Sequence, residues 1–115
     1  PVVVIAEHKE AFTRGLRVLA RIAPVLVCHA DDTQMPCAGL TNVRTEAFAG
    51  PHPAGLAGTH IHFLDPVHAE KSVWSLNYQD AIAIGKLFAT GRLWTERVVS
   101  IAGPMVSSSP ASRCA

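Results

Sequence analysis

At 115 residues, with 49% apolar and 17% charged side chains, the chain has the length and apolar content for one packed domain rather than a disordered segment. A formal charge of +1 and no basic patch exclude a nucleic-acid partner. The longest apolar run, near Leu16–Ala30, is broken by Arg17, Arg21 and Pro24, which excludes a span needing ~20 apolar residues. Cys28, Cys37 and Cys114 form no C-x-x-C pair and read as reduced thiols in a cytosolic setting. No basic region precedes an apolar core at the N-terminus, so no secretory signal is read.

Val2-Val3-Val4-Ile5 is a short continuous apolar run, as expected of a strand covered on both faces. From Glu7 to Ala23 the period changes: Phe12, Leu16, Leu19 and Ala23 share one helical face, with Glu10, Arg14, Arg17 and Arg21 largely away from it. Pro24 stops that helix, and Val25–Cys28 reads as a second buried strand, completing a βαβ unit. Ala30–Asn42 is a loop, and Val43–Ala49 an edge strand. Pro53 is placed to open a short helix through Leu64, closed by Asp65-Pro66. Val73–Leu76 reads as a strand, and Asn77 as the N-cap of a helix over Tyr78–Thr90, with Asp80 three residues on. That helix is apolar nearly all round. Gly85 inside it costs ~1 kcal/mol relative to Ala, so another backbone is expected close by. Gly91 is placed for a left-handed C-cap. Arg97–Ala102 is a last strand. The fold class expected is therefore α/β: a Rossmann-like three-layer domain over residues 1–105 with a mainly parallel sheet, then a disordered tail over 106–115.

The chemistry concentrates in GPHPAGLAGTHIHFLDPV, residues 50–67, where three prolines, three glycines and three histidines surround a short apolar core. His52, His60, His62 and His68 invite a metal, with Cys28 and His29 as partners, and a small metal-dependent hydrolase using His60 and His62 is one alternative function. In a helix, residues two apart point about 200° away from each other and share no ion. The plainer reading is imidazoles hydrogen-bonding backbone carbonyls around a glycine-rich turn. Gly55-Leu56-Ala57-Gly58-Thr59 is a candidate phosphate cradle, hence a nucleotide-binding module as a further alternative. It lacks the Gly-Lys-Ser/Thr ending of a P-loop, and glycines serving close helix–sheet packing explain it as well. No Ser/His/Asp order or carboxylate pair assembles a catalytic group. The apolar helix 78–90, with Trp74 and Trp94, suggests more apolar surface than one small domain needs; the tryptophans either anchor a partner or close this domain's own core.

The same segment, followed by VWSLNYQD (residues 73–80) and IAIGKLFATGRLWTERVVSIAGP (residues 82–104), resembles the A subunit of the bacterial Na+-translocating NADH:quinone oxidoreductase. The resemblance runs from Pro1 to Pro104 and is densest between Gly50 and Gly103. That family is similar in fold to the flavin-binding NADH subunit of respiratory complex I, where a glycine-rich loop holds FMN beside an Asn-x-Glu-Thr segment. Here Asn77-Tyr78-Gln79-Asp80 stands at the matching place without the Glu and the Thr, and the flavin loop has no counterpart. The resemblance thus implies an internal domain of a respiratory pump coupling electron transfer from NADH to ubiquinone with sodium export. The intact complex uses flavins and an iron–sulfur centre, with NADH and Na+ as substrates. This domain is expected to be inactive alone, with no catalytic residue, no cofactor and no metal of its own. Its expected partners are the other subunits, with quinone a further candidate, at the cytoplasmic side of the bacterial inner membrane. Its candidate ligand or interface residues are His52, Gly55, Gly58, His60, His62 and Trp94.

Overall fold

The computed structural model describes residues 1–101, 103 and 112–114. It begins with a departure from the sequence pattern. Val2–Glu7 is helix α1, not a strand. A strand would send Val4 and Ile5 to opposite faces and would need a paired neighbour. The helix instead buries both in one cluster with Phe12 and Leu16, and tertiary burial overrides the preference of four β-branched residues. The helical path breaks at His8 (φ −115°, ψ 32°) and resumes as α2, Lys9–Leu19, shorter than the expected Glu7–Ala23. Phe12 and Leu16, one turn apart, are buried; Arg14 and Arg17 face solvent.

With no strand at the N-terminus, the expected βαβ unit is absent. The parallel pair is formed by β1, Val25–Ala30, and β2, Val43–Phe48, in register from Val25↔Val43 to Ala30↔Phe48. A loop over residues 31–42 makes the crossover in place of a helix. It is pinned to α2: the Thr13 hydroxyl donates to the Pro36 carbonyl at 3.1 Å, and Cys37 is buried. The Asn42 side-chain amide donates to the Ala20 carbonyl at 2.9 Å, satisfying an orphan acceptor at the end of α2. Val25, Val27 and Val43 turn one sheet face to the core; Leu26 and Cys28, paired with Arg44 and Glu46, turn outward. Burial first, and the Glu46 carboxylate second, push the Cys28 thiol up; burial does the same at Cys37.

Helix α3 spans Ala57–Leu64 and has no buried residue. The expected strand Val73–Leu76 is extended but belongs to no sheet among the described residues. Its apolar composition suits a strand, yet no strand among the described residues offers it a ladder. Helix α4, Tyr78–Thr90, begins at Asn77, whose side chain accepts from the Gln79 N–H at 2.9 Å, and ends at Gly91 in the left-handed region (φ 69°). It crosses α2 at backbone contact. A Cβ on Gly85 would lie 1.8 Å from the Ala11 carbonyl oxygen, and one on Gly15 would lie 1.9 Å from that of Ala81. The two helices thus interlock reciprocally through Ala-x-x-x-Gly pairs, the spacing that lets helices approach most closely. Ile82, fully buried, lies beside this crossing.

Arg97–Val99 is β3, shorter than expected, and Ala102 lies outside the described residues. Ser112–Cys114, within the expected tail, is β4 and pairs with β3 antiparallel. The architecture is α/β, with a two-stranded parallel sheet, a two-stranded antiparallel sheet and the α2–α4 pair at the core.

Candidate functional site

The Gly- and Pro-rich segment turns tightly before entering α3. Gly50 takes a positive φ of 129°, and the Ala54 and Leu56 N–H groups donate to the Pro51 and Pro53 carbonyls, both at 3.0 Å. His60 folds back over these turns. Its Nε2 lies 2.8 Å from the Ala54 carbonyl oxygen, which only accepts, so the ring proton sits on Nε2. The same ring lies against Phe48 of β2, centroids 4.2 Å apart. His62, two residues on in the helix, is exposed and meets the edge of Phe63. The histidine pair therefore diverges, as helix geometry requires. His52 is exposed, and His68 sits in a short bridge with Lys71, whose ammonium pairs with Asp65. Among the described residues no three His, Cys, Asp or Glu side chains gather closely enough to hold an ion. Gly55 and Gly58 face open space: a Cβ on either would meet nothing within 4 Å. Close helix–sheet packing is thus not what these glycines serve.

The segment Asn77-Tyr78-Gln79-Asp80 is occupied internally. Gln79 is buried, and its Nε2 donates to the Val98 carbonyl at 2.8 Å while its Oε1 accepts from the Val98 N–H at 2.9 Å. One side-chain amide thereby reproduces both bonds of a strand neighbour and fastens β3 to α4. Asp80, which a capping box would aim at the helix start, instead pairs with Arg97 at 2.6 Å. Of the residues that replace the flavin-adjacent pattern, Asn77, Gln79 and Asp80 each direct a side-chain polar atom to a partner within the fold. Sequence reasoning missed this staple; its signal was a Gln in the first turn of an otherwise apolar helix.

Trp94 is half-buried. Its ring meets His8 edge to face at 5.3 Å, and the Lys86 ammonium lies 3.9 Å above it. Trp94 therefore bridges the α1–α2 junction and α4, whereas Trp74 is 89% exposed. Sequence reasoning grouped the two indoles; the fold separates them. No helix among the described residues is long and apolar enough to cross a membrane.

This α/β domain, with its polar motif residues turned to its own packing, matches a known family of α/β domains over most of its length. The family described as NqrA second alpha/beta domain matches residues 1–93, and the chain belongs to that family. It is 66% identical over 106 residues to the A subunit of the Na(+)-translocating NADH-quinone reductase of Pseudomonas aeruginosa strain UCBPP-PA14, covering 92% of this chain and 24% of that protein. Its namesakes from Glaesserella parasuis strain SH0165 and Haemophilus influenzae strain KW20 are 59% and 54% identical. Those matches each cover 92% of this chain and 25% and 24% of the relatives. The chain thus spans about a quarter of the length of the curated relatives it matches.

Proposed function

We propose that this chain is the second α/β domain of the NqrA subunit in a Na+-translocating NADH:quinone oxidoreductase, and that it works there as a structural and docking element without carrying electrons. The family match over residues 1–93 is the observation that carries this reading. Its non-redox part is supported by the internal spending of Gln79, Asp80 and His60 on Val98, Arg97 and Ala54. In the whole polypeptide the β1–β2 pair is the seed of a Rossmann-like three-layer sheet, since parallel pairs are stable only when both faces are covered. The pump couples electron transfer from NADH to ubiquinone with sodium export, through flavins and an iron–sulfur centre held elsewhere. The domain lies peripherally on the cytoplasmic side of the bacterial inner membrane, against other subunits. His52, Gly55, Gly58 and His62 line the exposed side of the Gly- and Pro-rich segment, where another subunit or quinone would approach.

The test is complementation. An NqrA polypeptide whose second domain is replaced by this sequence should assemble and support quinone reduction and sodium export. Purified, this domain should carry no flavin absorption and no stoichiometric metal. Failure to assemble would overturn the membership in the pump; a bound flavin or metal would overturn the non-redox role.

A further inference from the structure

The stretch from Leu56 to Leu76 carries five large apolar side chains that stand half or more exposed among the described residues. Trp74 is 89% and Phe63 71% exposed, and Leu56, Val67 and Leu76 are each at least half exposed. Helix α3 lacks any buried residue, and the contact of His60 with Phe48 ties it to the sheet. Beyond it, Val73–Leu76 runs extended, and no described residue hydrogen-bonds its backbone. Val73 is half-buried, while Trp74, Ser75 and Leu76 all stand exposed in a row. An apolar segment outside any helix or sheet, with an exposed indole and N–H and C=O groups that no described residue takes up, is what a partner strand can pair with.

The charges here narrow what covers it. Asp65 and Lys71 pair with each other, and Glu70 leaves the stretch slightly acidic. An anionic lipid surface selects for Lys and Arg around an apolar face, and this stretch offers neither free. Electrostatic steering of a transient partner likewise needs a charged rim. Apolar, aromatic-centred surface with few charges resembles a core cut in two, the mark of a permanent interface. The relatives supply the polypeptide for one, because about three-quarters of their length lies outside the matched region. A covalently linked domain arrives at millimolar effective concentration and needs no steering.

We infer that Trp74 and the extended segment Val73–Leu76 form the docking strand for another domain of the same NqrA polypeptide, which buries the indole and pairs with this backbone. The inference rests on the domain's membership in NqrA. The test uses full-length NqrA carrying this sequence as its second α/β domain, with photoreactive p-benzoylphenylalanine in place of Trp74. Irradiation is expected to give a crosslink within one chain, mapped by peptide mass spectrometry to residues outside this domain. A crosslink to a second copy, to a different subunit or to lipid, or no crosslink at all, overturns it. Amide exchange in the unmodified full-length polypeptide gives an independent readout. The amides of residues 74–76 are expected to exchange at least tenfold slower than an unstructured reference, and an unprotected rate overturns the pairing. Assembly of the crosslinkable polypeptide into the pump is scored separately, so loss of membership and loss of this interface are distinguishable.

Discussion

Replacing Gly85 with Ala adds one methyl group where the Ala11 carbonyl oxygen already stands 1.8 Å from the new carbon. Ordinary contact needs about 3.4 Å, so α2 and α4 have to separate by well over an ångström, since the obstacle is backbone and not a pliable side chain. Separation on that scale loosens Phe12, Leu16 and Ile82 at the crossing. Each is worth about 1.5–3 kcal/mol of burial, and losing a third to a half of it removes roughly 3 kcal/mol. The better helix propensity of Ala returns ~1 kcal/mol, leaving a net loss of about 2 kcal/mol. For a domain of this size that is a fall in Tm of roughly 10 °C, readable by circular dichroism. Gly15→Ala should behave alike, with its Cβ 1.9 Å from the Ala81 carbonyl oxygen. Because the first methyl already parts the helices, the double variant should lose less than the two singles combined, by about 1 kcal/mol. Gly58→Ala in α3, where the methyl meets open space, is the control and should hold or raise Tm. If Gly85→Ala matches the control, the helices do not cross at backbone contact and the core described above is wrong.

Gln79→Glu, the change toward the flavin-adjacent pattern, removes the donor to Val98 and turns a carboxylate on its carbonyl; about 1–3 kcal/mol of stability should be lost, with no gain of flavin by absorption spectroscopy. His60→Ala should cost ~1 kcal/mol in urea titration, the value of one backbone-directed hydrogen bond, and leave the circular dichroism spectrum unchanged. Trp94→Ser should lower Tm by several degrees, because the ring closes contacts with His8 and Lys86; an unchanged Tm with impaired pump assembly would make Trp94 an interface residue instead. Burial raises both Cys28 and Cys37 above the ordinary thiol value, so the folded state holds these protons longer than the unfolded chain. Their contribution is complete below about pH 8.5 and is lost as pH climbs through the raised values. The urea midpoint should therefore fall between pH 8 and 10, and a Cys28→Ala, Cys37→Ala variant should flatten that fall.

Local signals in the sequence translated well into structure. Asn77 caps α4 and Gly91 ends it, because each requirement is met within a few residues. Gly85 announced a close backbone because nothing else justifies glycine in a helix interior, but which backbone was not legible: the partner, Ala11, lies 74 positions away. The Gly- and Pro-rich segment was legible as a constrained turn with inward imidazole bonding, and His60 to Ala54 is such a bond. The sequence-wide likeness to NqrA came from long unusual strings and did not depend on any element assignment, which is why it survived errors in them.

Those errors share a cause. Val2–Ile5 and Val73–Leu76 both read as strands on composition, and neither pairs within the described residues. Strand propensity states how well a residue suits a pleated, half-buried surface; it does not supply the neighbouring strand. A helix satisfies its backbone internally, so a short apolar run without a neighbour has two outcomes. Val2–Ile5 took the first, coiling into α1 because α2 offered Phe12 and Leu16 for Val4 and Ile5 to pack against. Val73–Leu76 had no such surface and is hemmed by the Asp65–Lys71 loop on one side and the Asn77 cap on the other. It stayed extended with its indole in solvent. The misread strand and the proposed interface meet at one place: the pattern named residues 73–76 a strand, among the described residues they join no sheet, and the docking proposed above would supply the missing neighbour.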